Sequence, residues 1–275
     1  MLATLVIFLR EGVEASMIIA ILLAYLNRSG QRQYFRDVFA GVAAALVLAG
    51  AGGVIAYQTI RSYDGSRVQT IFETVTYLLA AGVLTYMTFW MRSHARGLSS
   101  DLRARADVAI SRGARTGLAL LAFQAVGREG LETVVFTLAI AFSTTQRSAM
   151  LGAAIGLAIA LAIAFGTYRL GHRLNLARFF SIVGALLMVF AAGLLVDAVQ
   201  NLQELGWLPW ATHPLWHTGS ILNEDTAVGD LLHSFFGYAQ SPTVLQVCVY
   251  VLYLAVALVA FFNLRRRFFG VHAAR

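Results

Sequence analysis

Four glutamates and two arginines stand in two copies of one pattern, Arg-Glu-Gly-x-Glu. The first copy is Arg10, Glu11, Gly12, Val13 and Glu14, inside the apolar run Leu2–Leu26. The second is Arg128, Glu129, Gly130, Leu131 and Glu132, inside Ala114–Phe142. Each carboxylate at the centre of a membrane helix costs about 2.5–3.5 kcal/mol, so four cost on the order of 10 kcal/mol before pairing. A chain that places the same costly cluster twice at membrane depth is using it.

On a helix, residues three and four apart share a face. Glu11 and Glu14 therefore point the same way and Arg10 reaches Glu14. The same holds for Glu129, Glu132 and Arg128, with Gln124 one turn earlier on that face. Gly12 and Gly130 remove bulk beside the acids, where a facing helix can approach. Four carboxylates against two arginines leave an excess of two negative charges, which suits a cation. An arrangement that only locked two polar helices together would not need that excess. Carboxylates are hard ligands. None of the six histidines (His94, His172, His213, His217, His233, His272) falls in a spanning segment, which disfavours copper, zinc and nickel. Ferric iron, manganese, magnesium and calcium remain open on this chemistry.

The elements that must position these residues are membrane helices. The chain is 59% apolar and only 13% charged, the balance of a membrane protein. Seven segments reach the roughly 20-residue span: about 2–26, 37–59, 70–91, 114–142, 148–169, 178–199 and 243–263. The expected architecture is an all-α membrane protein, one transmembrane domain over 1–275 without a soluble domain. Its first apolar stretch carries the motif and has no basic region before it, so a mature first helix is expected there rather than a signal peptide.

All 21 basic residues are Arg. They cluster in alternate connections: Arg28, Arg32 and Arg36; Arg92, Arg96, Arg103, Arg105, Arg112 and Arg115; Arg169, Arg173 and Arg178; and Arg265 to Arg267. The other connections hold Arg61 and Arg67, then Arg147, then none from Leu202 to Pro242. The positive-inside rule gives an outside N-terminus and a cytoplasmic C-terminus. The basic excess is thus a topology signal, and no nucleic-acid partner is expected. The lone Cys248 forms no internal disulfide.

Helices one to three match helices four to six. Gly41 corresponds to Gly152, Tyr57 to Tyr168, and Ala80–Leu84 to Ala191–Leu195, all at an offset of 111, while the motifs are offset by 118. Repeat one covers about 1–92 and repeat two about 114–199; an external loop, 200–242, and helix seven, 243–263, follow. An odd number of helices per repeat inverts the second copy, as in many secondary transporters. Glu11 should then pair in depth with Glu132 on the outer side, and Glu14 with Glu129 on the inner side. The stripe Gly41, Ala45, Ala49 and Gly53, repeated as Gly152, Gly156, Ala160 and Ala164, reads as close helix packing.

The twin motif resembles the paired signature of the oxidase-dependent iron permease family, which has fungal high-affinity and bacterial Efe-system branches. The runs Gln203–Pro209, Leu215-Trp216 and Leu222–Asp225 resemble the bacterial members. The resemblance spans essentially the whole chain. It implies seven helices, iron uptake (ferric iron above all) across the cell inner (cytoplasmic) membrane, and Glu11, Glu14, Glu129 and Glu132 as metal ligands with Arg10 and Arg128 as their ion-pair partners. Iron enters as transported substrate and no cofactor is implied. Extracytoplasmic iron-oxidising or iron-delivering proteins are implied partners, beside membrane lipid.

Glu73, Asp197 and Glu204 fall near the outer helix ends, where they could form a vestibule. The tryptophans of 200–242 read as an interfacial belt. Val228–Ala239 reads as a short helix lying on the membrane surface, and basic 93–112 as a helix drawn to anionic lipid. A transporter rather than an enzyme is expected, and without Lys the chain holds no ordinary P-loop ATPase. Transport of another hard or divalent cation is the nearest alternative. A membrane-bound metal oxidase is less favoured, because di-iron bundles add a Glu-x-x-His pattern and both motifs here read Glu-x-x-Glu. A non-transporting assembly factor is the third alternative.

Overall fold

The computed structural model describes residues 1–63, 65–94, 98–111, 114–143, 145–170, 176–219 and 226–270. Arg96, Arg112, His172, Arg173, the Leu222–Asp225 run and His272 lie outside the described residues. The described residues form α1 (Leu2–Arg28), α2 (Phe35–Arg61), α3 (Arg67–His94), α4 (Leu98–Ser111), α5 (Ala114–Ser143), α6 (Gln146–Leu170), α7 (Leu176–Glu204), α8 (Ala227–Phe236) and α9 (Val244–Gly270). Proline, which breaks helix interiors, occurs only at 209, 214 and 242, outside every one of these helices. The described residues include no strand, only an isolated bridge between Pro214 and Thr243.

Five helical segments are long and apolar enough to cross a membrane: Arg32–Arg61, Arg67–Met91, Gln146–Gly166, Arg178–Glu204 and Val244–Phe261. The motif helices α1 and α5, with 27 and 30 residues, are long enough as well. Their motif charges are what set them apart from the five.

The helices pair across the two halves. α1 lies along α6, α2 along α5, and α3 along α7. The first two contacts are backbone-close. A Cβ on Gly41 of α2 would stand 2.1 Å from the Ala119 carbonyl oxygen of α5. A Cβ on Gly152 of α6 would stand 2.2 Å from the Met1 oxygen, and one on Gly156 2.4 Å from that of Leu5 in α1. The motif glycines do the same work. A Cβ on Gly12 would meet Ala160 at 2.7 Å, and one on Gly130 would meet Ala49 at 2.9 Å. The small-residue stripes thus face the motif helices and set their distance. Leucine at Gly41 or Gly156 is expected to cost about 1–3 kcal/mol or more, as overpacking does. Leucine at Gly50 or Gly166, which face open space, is the matched control. The fraction of monodisperse protein after detergent extraction checks it: the first pair should fall and the second should not.

Two apolar cores flank the motifs. One joins Ala3, Ile7, Leu84, Phe136, Ile140 and Phe190. The other joins Ile18, Leu22, Leu26, Val42, Leu118 and Ala122. Each takes in residues of a short helix. Within 93–112, Leu98–Ser111 form the helix α4, and protein packing contributes to holding it. Leu102 and Ala106 are buried in the second core, and the Tyr25 hydroxyl donates to Asp107. Helix α8 forms within the expected 228–239 stretch, with one side packed on α7 and Val228 and Phe236 exposed. Thr226 caps it by accepting the Gly229 N–H at 3.0 Å, and Gly237 ends it at φ 67°. Its Phe235 is fully buried and stacks on Phe190 at 6.2 Å. Its end presses on α7 so closely that a Cβ on Gly237 would stand 2.6 Å from the Gly193 Cα.

Candidate metal centre

The two motifs meet between these cores. Helix geometry puts the acids of each motif on one face, and the glycine contacts turn those faces inward. Glu11, Glu14 and Glu129 each offer a carboxylate oxygen, and these atoms lie within 4.8 Å of one another. All three are buried, with 4–7% of their surface exposed. One cation with oxygen bonds of about 2.3–2.5 Å spans oxygens about 4.6–5 Å apart. Glu132 stands outside this group.

The arginines are not equivalent. Arg10 is buried, donates from Nε to Glu14 at 3.0 Å and pairs through Nη1 with Glu11 at 3.3 Å. Arg128 is 43% exposed and pairs with Glu132 at 3.0 Å. Its Nη2 donates to the Met87 sulfur at 2.9 Å. Its guanidinium lies over the Trp90 ring, 4.7 Å from the centroid.

Several buried polar atoms here make no hydrogen bond: Nη1 and Nη2 of Arg10, both carboxylate oxygens of Glu11, and Oε2 of Glu129 and of Glu132. Folded interiors satisfy nearly all such groups, so the orphaned carboxylate oxygens fit a cation held between them. A cleft of about 210 Å³ reaches the centre. It is lined by the buried Glu14 and Glu129, by Arg128 and Trp90, and on the α4 side by the exposed Asp101 and Arg105. Those two pair at 3.0 Å and are 58% and 64% exposed. Beyond Glu11, in the other direction, Ile7, Phe136, Ile140, Phe190 and Phe235 are packed with at most 1% exposure.

The other sequence candidates lie apart. Glu73 accepts from Gln69 at 2.8 Å, and Glu204 from Gln200 at 3.2 Å. Asp197 is buried. All three act electrostatically on the buried Tyr77, where α3 and α7 run antiparallel. His217 bonds Ser241 and His233 bonds the Tyr238 carbonyl, each at 2.8 Å. Sequence reasoning missed Trp90, Met87 and the α4 side of the cleft. The signal available was the spacing of Met87, Trp90 and Met91, which share one face of α3.

A multi-pass helical protein that gathers its costly charges around a cleft, rather than turning them to lipid, has the build of a membrane transporter. The chain belongs to the Iron permease FTR1 family, whose family model matches residues 1–267. It is 34% identical over 264 residues to the ferrous iron permease EfeU of Yersinia pestis, covering 95% of this chain and 93% of that one. The EfeU of Yersinia pseudotuberculosis is 35% identical over 267 residues, with the same coverage. That of Escherichia coli O6:K15:H31 is 34% identical over 263 residues, 95% of each chain. No solved structure matches. The protein is an iron permease by family, multi-pass in the membrane.

Proposed function

We propose that the chain carries iron inward across the cytoplasmic membrane through Glu11, Glu14, Glu129 and Glu132, with Arg10 and Arg128 as their partners. The observation that carries this reading is the convergence of carboxylates from both motifs within 4.8 Å at the head of a cleft. The fold under it is seven spanning helices, α1 to α3 and α5 to α7 as a 3+3 inverted repeat, plus α9. The paired contacts support the repeat. Gly41 against Ala119 and Gly152 against Met1, then Gly12 against Ala160 and Gly130 against Ala49, are related by the same offsets of 111 and 118. With the N-terminus outside, the α4 side of the cleft faces the cytoplasm, where its arginines belong.

Ferrous iron is the form named for the relatives, and it is the cargo to test first. The oxidase-dependent resemblance argues for ferric iron, and hard carboxylates accept either. A membrane potential of ~100 mV, inside negative, drives a divalent ion inward by about 4.6 kcal/mol. Glu73, Asp197 and Glu204 form an outer vestibule in this reading, and the 200–242 connection meets iron-oxidising or iron-delivering partners.

The test is radioactive iron uptake by purified protein in liposomes with an imposed potential. Iron is presented as reduced ferrous ion and, separately, as ferric citrate. Potential-dependent accumulation of one form is expected. No uptake of either form above empty liposomes overturns the proposal.

A further inference from the structure

Arg10 and Arg128 hold the same place in their motifs, yet only Arg10 closes on the first glutamate of its own motif, pairing with Glu11 at 3.3 Å. Among the described residues no ion pair joins Arg128 to Glu129. The difference traces to α3 and α7. Met87 and Trp90 receive the Arg128 guanidinium from α3. At the repeat offset of 111 the counterparts on α7 are Ala198 and Asn201. Alanine offers no sulfur acceptor and asparagine no aromatic face, so α7 does not repeat the Met87 and Trp90 pair.

We propose that Trp90 and Met87 are positioning residues that hold the Arg128 guanidinium off Glu129, so that this carboxylate stays available to the cation at the head of the cleft. The physics is a competition. A guanidinium in a bidentate fork is a strong carboxylate partner, and an Arg128 that swung onto Glu129 would oppose the ion there. An aromatic face attracts the same guanidinium, most strongly for Trp and less so for Phe. A thioether acceptor fixes one more of its donors. Trp90 and Arg128 line the cleft with Glu14 and Glu129, so the arginine lines the path an ion takes without sitting on its ligands.

The inference rests on the iron-permease reading, and the wild-type protein is the arm that tests that reading. Initial rates of iron uptake into liposomes give KM and Vmax per folded protein. The set is wild type, Trp90→Leu, Trp90→Phe, Met87→Leu, Arg128→Gln and Trp90→Leu/Arg128→Gln. Loss of the cation–π contact in Trp90→Leu should raise KM by about three- to thirtyfold with Vmax largely kept. Trp90→Phe should recover part of that, and Met87→Leu, which conserves volume, should raise KM less. In the Arg128→Gln background Trp90→Leu should change nothing, because the competing cation is gone. A merely structural Trp90 would lower folded protein and leave KM where it was. Should Trp90→Leu fail to fold, Trp90→Phe and Met87→Leu carry the test. Unchanged KM in the variants that fold overturns the inference alone, as does an equal rise from Trp90→Leu with and without Arg128. Absence of wild-type uptake removes the permease reading and this inference with it.

Discussion

Iron uptake should fall to background in Glu11→Gln, Glu14→Gln and Glu129→Gln, while each protein remains inserted and folded. Glutamine keeps the shape and one acceptor oxygen of glutamate but carries no charge. Interactions with a charged group are worth about 1.5–3 kcal/mol each, or roughly 10- to 150-fold in an equilibrium constant. These three carboxylates share one point, so losing any one leaves a poorer cage for the same ion. Glu132→Gln should also reduce uptake strongly, by another route. Glu132 is the anion that Arg128 pairs with, and without it the two motifs lose one of the four carboxylates that outweigh their two arginines. The measurement is iron transport per folded protein for the four single variants. Near-normal uptake across the set would mean that the glutamates only hold helices together, and the permease mechanism would fall.

Much of this centre was legible from the motif itself. Arg-Glu-Gly-x-Glu spacing puts both acids on one helix face whatever surrounds them, and the cost of membrane burial says they must face something polar. The stripes of small residues announced close packing, and Gly41 against Ala119 is that packing. The rest needed three dimensions. The repeat offsets relate α1 to α5 but do not say that α1 lies along α6 and α2 along α5. Met87 and Trp90 look like ordinary apolar residues in an apolar helix; only the approach of Arg128 gives them a task. A short amphipathic helix does not say which of its apolar residues dock on the protein; in α8 it is Phe235, buried against Phe190. The exclusion of Glu132 from the carboxylate group depends on side-chain direction, which spacing leaves open.

Removing the two arginines should have unequal consequences, although their motifs are alike. Arg10 is 3% exposed and neutralises two carboxylates that are each 4% exposed. Arg10→Gln therefore strands buried charge, an effect of about 3–5 kcal/mol where such pairs have been broken. That approaches the whole stability of many proteins, so little folded protein should be recovered. Arg128 is 43% exposed and loses one ion pair, which at a partly solvated site is worth about 1 kcal/mol or less. Arg128→Gln should therefore fold, with a modest loss of thermal stability. A second substitution isolates the cause. If stranded charge is what unfolds Arg10→Gln, then Arg10→Gln/Glu14→Gln should recover folded protein by removing the carboxylate that Arg10 hydrogen-bonds, while transport stays absent because a ligand is gone. The measurement is the monodisperse yield and thermal midpoint of the three variants beside wild type. Equal losses for Arg10→Gln and Arg128→Gln, or no recovery in the double variant, would show that the buried pairing of Arg10 is not what holds the two motifs in place.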